Sequence, residues 1–210
     1  MLAAQPAVRK LGPGEFFGRA HERLNFDVPP GLTDPNIIPP SGDQGTDRML
    51  RIIAEEQPVR PAAVLIPVVE RDQPTVLLTQ RSPNLSSHAG QISFPGGKID
   101  ATDHSPLDAA LREAEEEVGL DRKFVEPIGY LDLYATGLGF RILPTLARVK
   151  PGFDLSFQRY RQQIPHALAM WTITLCHSPL LPNMQPEDTT LAMIERITTA
   201  MADLDSLDSF

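Results

Sequence analysis

A single cysteine, Cys176, stands among 210 residues, so an internal disulfide framework is excluded and a reducing compartment fits. An inert packed thiol is the ordinary reading of such a residue. Long apolar runs are missing as well. No stretch approaches the roughly 18 uninterrupted apolar residues of a membrane-spanning helix. The opening MLAAQPAVRKLGPGEFFGR lacks the apolar centre of a secretory signal. The first 25 residues carry several arginines, as transit peptides do, but Glu15, Glu22 and the prolines make a poor amphipathic match. A soluble, cytoplasmic protein without membrane association is expected. Basic residues are in deficit: 19 Lys plus Arg stand against 27 Asp plus Glu, a formal charge of -8. That balance excludes a protein that grips nucleic acid by neutralising phosphates. An acidic chain accepts an acidic small molecule when a divalent cation stands between them.

What is present is enough for one ordinary domain. Residues 1–60 mix Pro, Gly and Asp and contain one short helical candidate at 47–56, which predicts an irregular N-terminal extension. From residue 61 the texture changes. PAAVLIPVV (61–69), TVLLTQ (75–80), QISF (91–94), VEPIGYLDLY (125–134) and FRILPTLARV (140–149) read as strands, and RDQP suits a hairpin-like turn. SPLDAALREAEEEVG (105–119) reads as a helix. No internal repeat is visible, and the order of elements predicts an α/β or α+β domain over 61–157 with a mixed sheet.

Ser105 suits the N-cap of that helix, Pro106 its first position and Gly119 a left-handed C-terminal stop. At 100° per residue, Leu107, Leu111, Ala114 and Val118 share one side, while Glu113, Glu116 and Glu117 share another. Glu115 points away from both and reads as solvated. Like charges at i,i+4 destabilise a helix, so Glu113 and Glu117 invite either solvent screening or a hard cation such as Mg²⁺. Upstream, Gly96-Gly97 reads as a turn, or as backbone stripped of side chains so that something can come close.

Gly97, then Asp103 after five residues, then Arg112-Glu113-Ala114-Glu115-Glu116-Glu117-Val118-Gly119-Leu120 after eight more, resembles the Nudix box of the Nudix hydrolases. The family's usual second interval is seven residues and its usual loop acid is Glu. Both departures resemble the coenzyme A pyrophosphatase branch, whose upstream pattern LLTxR(S/A)xxxRxxxGxxxFPGG is met by LLTQRSPNLSSHAGQISFPGG (77–97) at every fixed position except Ser86.

The resemblance implies a mixed sheet sandwiched between helices, with a catalytic strand, loop and helix. It implies Mg²⁺ or Mn²⁺ held by Glu113, Glu116, Glu117 and the main chain at Gly96, with Arg112 orienting a carboxylate. Arg81, Gly90, Gly97 and Arg141 become candidate substrate contacts, and loop histidines His88 and His104 bystanders. The implied reaction is hydrolysis of the pyrophosphate bond of coenzyme A or a derivative, giving 4′-phosphopantetheine and adenosine 3′,5′-bisphosphate. The alternatives are another nucleoside diphosphate derivative, such as ADP-ribose, NADH or a dinucleoside polyphosphate, and a catalytically impaired binding module. A small nucleotide is the implied partner, and a homodimer stays open. After Phe157 the similarity stops. Residues 158–210 are read either as a diverged end, with no clean strand over 158–185, or as the product of a reading-frame shift in the gene.

Overall fold

In a computed structural model the chain is described for residues 12–39, 41–42, 58–72, 74–80, 92–136, 138–155 and 171–174. Two ten-residue strands, β2 (Arg60–Val69) and β8 (Phe140–Val149), lie parallel and fully in register at the centre. Each shares its other edge between two partners. The first half of β2 takes β5 (Gly96–Lys98) and its end takes β3 (Thr75–Gln80), both antiparallel. The start of β8 takes β7 (Tyr134–Ala135), and the rest takes β6 (Val125–Tyr130) across a bulge between Pro127 and Gly129. Short strands β1 (Ser41–Gly42), β4 (Ile92–Ser93) and β9 (Trp171–Thr174) extend the edges, β1 parallel to β7 and the other two antiparallel to β3.

One helix covers each face. α1 (Pro13–Arg23) begins with proline at its first position, carries Glu15 in the first turn and His21 and Arg23 in the last, as the helix dipole favours. It buries Phe16, Phe17 and Ala20 against Ile66, Val68, Ile128 and Leu146. α2 (Pro106–Val118) buries Ala109, Ala110, Ala114 and Val118 against Ala63, Leu65, Ala147 and Val149 on the opposite face. The alanines leave little side-chain thickness between helix and sheet, so α2 lies close to the strands. Its ends are as expected: Ser105 Oγ accepts from Asp108 N–H at 3.1 Å, and Gly119 adopts φ 68°. A sheet between helices with mixed strand directions agrees with the predicted class.

Four local expectations need correction. The irregular extension contains α1, which docks into the core because two adjacent phenylalanines on a single turn supply the apolar area. The run at 125–134 divides into β6 and β7, since the bulge turns the chain along β8. Trp171–Thr174 forms a strand within the stretch where none was expected. On α2, Leu107 and Leu111 are only partly buried, the tighter positions going to alanines. No helix among the described residues is long and apolar enough to cross a membrane.

If α1 holds one face of the sheet, Phe17→Ala lowers the unfolding free energy by about 3–5 kcal/mol, measured by urea denaturation. A loss below about 1 kcal/mol would place α1 outside the cooperative core.

Candidate active site

The register of β5 decides what it offers to α2. Lys98, Gly97 and Gly96 oppose Ala62, Ala63 and Val64. On either side, Leu65 N–H donates to the Pro95 carbonyl at 2.8 Å and Ile99 N–H to the Pro61 carbonyl at 3.2 Å. Bonded and non-bonded pairs alternate in an antiparallel ladder, so the amides and carbonyls of Gly96 and Lys98 turn away from β2. Two contacts mark their direction. Gly96 N–H donates to Glu117 Oε2 at 3.2 Å, and the Lys98 carbonyl accepts from Arg112 Nη2 at 3.2 Å.

The glycine pair is therefore strand, and the turn reading is corrected: neither residue has a positive φ. Close neighbours explain both. A Cβ on Gly96 would lie 2.6 Å from Val64 Cα, because non-bonded rungs bring backbones close. On Gly97 it would lie 2.6 Å from Glu113 Cδ.

Arg112 gathers the loop and the helix. Its Nε and Nη2 donate to the two oxygens of Asp103 at 2.9 and 3.0 Å, a bidentate pair, while Nη1 donates to Glu113 Oε1 at 2.9 Å and reaches Glu116 Oε2 at 3.4 Å. Asp103, 3 % exposed, also accepts from the Asp100 amide at 2.8 Å. The Arg112 hydrogen bond holds the Asp103 carboxyl below the usual carboxylate range, against the opposing pull of burial. Glu113 moves the other way. Burial raises its carboxyl, and Arg112 offsets only part of that. Glu113 is thus a desolvated carboxylate short of positive charge. Glu116 is 46 % exposed, and Glu115 turns toward Arg122 at 3.5 Å, away from the cluster.

Among the described residues no three acidic, histidine or cysteine side chains are gathered closely enough to enclose a metal ion. Hard divalent ions need no such cage. Mg²⁺ keeps several waters and takes one or two carboxylates together with substrate phosphates. The donor chemistry of Glu113, Glu116, Glu117 and the outward Gly96 carbonyl fits that requirement.

Of the candidates named from the sequence, the structure brings together Gly96, Gly97, Arg112, Glu113, Glu116 and Glu117. Arg141 is separate, 2 % exposed within β8 and outside the Arg112 network. Arg81 and Gly90, with Ser86 and His88, lie outside the described residues, and His104 donates its amide to Asp108, away from the glutamates. Two contributors went unnoticed. The Lys98 carbonyl follows from alternation once β5 is known to be a strand. Tyr130, whose hydroxyl accepts from Leu107 N–H at 3.2 Å at the start of α2, leaves no signal beyond an ordinary strand tyrosine.

The sequence profile described as NUDIX domain matches residues 59–166, just over half the chain. Over 111 residues the chain is 45 % identical to the uncharacterized Nudix hydrolase NudL of Klebsiella pneumoniae, covering 53 % of this chain and 57 % of that protein. It is 46 % identical over 111 residues to the protein of that name from Escherichia coli K12, with coverage of 53 % and 57 %. The chain spans little more than half the length of these curated relatives. A crystal structure of RenU, a Nudix hydrolase from M. smegmatis, superposes with a TM-score of 0.48 at 20 % identity, covering 69 % of this chain and 89 % of that one.

The Asp103–Arg112 pair has a signature in pH. A carboxyl held low in the folded chain contributes stability that is complete above its unfolded value, about 4, and lost as pH falls through the folded value. Urea unfolding between about pH 5 and pH 2 then shows a falling stability that Asp103→Asn flattens, with a loss of about 1–3 kcal/mol at neutral pH. Identical slopes in parent and variant would remove Asp103 from this role.

Proposed function

The chain belongs to the NUDIX domain family, and from that premise we propose that it is a pyrophosphohydrolase acting on a nucleoside diphosphate derivative. The observation that carries the reading is the closure of β5 on α2. One short strand edge sets a backbone carbonyl beside the helical face that carries a desolvated carboxylate and two further carboxylates, and Arg112 ties loop to helix.

In this reading Glu113, Glu117, Glu116 and the Gly96 carbonyl hold Mg²⁺ or Mn²⁺. When bound, such an ion polarises phosphate oxygens and lowers the pKa of a coordinated water. The chain's own residues do the rest. Arg112 spends its donors on Asp103, the Lys98 carbonyl and Glu113, so it acts as a positioning residue that fixes the loop against the helix. Gly96 N–H fixes one oxygen of Glu117 against the strand. Gly97 keeps the space of the Glu113 carboxylate open.

The finer substrate assignment is coenzyme A or a derivative, cleaved to 4′-phosphopantetheine and adenosine 3′,5′-bisphosphate. Its support is the pattern LLTQRSPNLSSHAGQISFPGG at 77–97. A second reading, in which ADP-ribose, NADH or a dinucleoside polyphosphate is the substrate, is favoured by Ser86, which lacks the planar donor fork of the arginine usual at that position.

Purified chain with Mg²⁺, assayed by chromatography against coenzyme A, ADP-ribose, NADH and diadenosine polyphosphates, decides between them. Glu117→Gln is expected to lower turnover by at least about a hundredfold while the melting temperature holds or rises, since one charge leaves a crowded face. Glu115→Gln serves as the matched control and behaves like the parent. Parental rates in Glu117→Gln would overturn the assignment of the carboxylate face.

A further inference from the structure

Three buried side-chain polar atoms lack a hydrogen-bond partner among the described residues: the hydroxyls of Thr75 and Thr145, and Nη1 of Arg141. The hydroxyls are neutral and cost little. Arg141 is of another order, because a guanidinium stays charged at neutral pH and a buried, unpaired charge is among the costliest features a fold can carry. Burial depresses its pKa, and among the described residues no carboxylate pulls the other way.

Its position is well defined. Arg141 is the second residue of β8, opposite Pro61 on β2 and Ala135 on β7. Side chains alternate along a strand. Ile142 and Leu146 pack on the α1 side, whereas Ala147 and Val149 pack on the α2 side. Arg141 therefore falls on the α2 side, next along that face to Leu143, which packs near Ile99 and Leu107.

One step outward is the turn that closes β7 onto β8. Gly139 N–H donates to the Thr136 carbonyl and Thr136 N–H to the Phe140 carbonyl, each at 3.0 Å, and Leu138 at the tip is 66 % exposed. At the same end of the same strand pair, the Arg60 guanidinium sits 4.0 Å above the Phe140 ring. By the same alternation Phe140 and Arg60 face the α1 side, so Arg141 stands without Arg60 on the α2 side of this end of the β2–β8 pair.

We propose that Arg141 is the donor of a phosphate-binding subsite on the α2 side of this end of the sheet, and that its ligand is a phosphate monoester or free phosphate. A planar donor fork matches phosphate in two-point geometry, and a phosphate anion supplies the counter-charge that the buried guanidinium lacks. The subsite stands apart from the carboxylate face and exists whether or not that face is catalytic. If the monoester belongs to the substrate, the subsite explains selection for a nucleotide carrying a phosphate beyond its pyrophosphate, an extension that rests on the pyrophosphohydrolase reading.

The test has two arms. In the first, metal-free parent, Arg141→Met and Arg141→Lys are melted against increasing inorganic phosphate, with chloride at matched ionic strength. The parent is expected to melt higher with a saturable phosphate response. Arg141→Met is expected to melt above the phosphate-free parent, having lost an uncompensated charge, and to ignore phosphate. Arg141→Lys keeps charge without the fork and binds phosphate about ten- to a hundredfold more weakly. A parent indifferent to phosphate beyond the chloride effect overturns the proposal, even if Arg141→Met fails to fold. So does a folded Arg141→Met that keeps the response, or one that melts well below the parent, since that would reveal a carboxylate partner elsewhere in the chain.

The second arm compares the Michaelis constants for coenzyme A and its dephospho form in parent and Arg141→Lys. Loss of the preference for the phosphorylated compound in the ratio of Michaelis constants assigns the ligand to the substrate. An unchanged ratio beside a lost phosphate response assigns it to free phosphate. Absence of turnover on both compounds counts against the coenzyme A reading and leaves the first arm to decide the subsite.

Discussion

The site depends on how closely α2 can approach β5. A helix normally stands about 10 Å from the strands it covers, too far for a main-chain amide to reach a glutamate of modest length without help. Here the separation is reduced from both sides. Ala109, Ala110 and Ala114 thin the underside of the helix, and Gly97 leaves the strand bare beneath it, while the bare Gly96 lets β5 close on β2. The amide of Gly96 then meets Glu117, and the carboxylate of Glu113 lies where the Cβ of any other residue at 97 would stand. A side chain at 97 displaces the Glu113 carboxylate, whereas one at 96 strains β5 against β2.

Proximity brings an electrostatic cost that Arg112 offsets. Four acidic side chains within one loop and two helical turns repel one another, and their desolvation is only partial. One guanidinium satisfies two of them with good geometry and reaches a third at 3.4 Å. The distribution is uneven. Asp103 is held low and fully engaged, whereas Glu113 is pushed up and left with unspent affinity for cations. A cluster compensated in this way is stable enough to fold and still short of positive charge, which is the electrostatic condition for taking up a cation together with an anionic ligand.

What could be read in the sequence follows from how local each signal is. Helix α2 was legible to within a residue, because Ser105, Pro106 and Gly119 are local signals and the glutamate spacing is a property of one helix. The long strands β2, β3 and β8 were legible from branched apolar runs. Other elements depend on distant partners. Gly96-Gly97 has no intrinsic preference for a strand and becomes one only because β2 is already there to pair with it. α1 hides in a proline- and glycine-rich stretch, and its stability comes from Phe16 and Phe17 finding Ile66, Val68 and Leu146. The chemistry of Glu113 could be guessed, but its burial could not, since that needs the strand. Arg141 is a candidate substrate contact by the resemblance alone, and its burial shows only once alternation along β8 turns it inward.

The packing of α1 also separates two notions of a domain. Similarity to the family begins at residue 59, yet the physical unit begins earlier: α1 seals one face of the sheet, Asn25 bridges to Tyr130, and a Cβ on Gly129 would meet Leu24 at 2.7 Å. Tyr130 joins that segment to the first turn of α2 through its hydroxyl. A recombinant fragment cut at the similarity boundary would keep every carboxylate of the site and expose the greasy side of the sheet to solvent. It would also free the tyrosine that anchors the start of the glutamate-bearing helix, so the fragment would be sticky in solution as well as looser at the site.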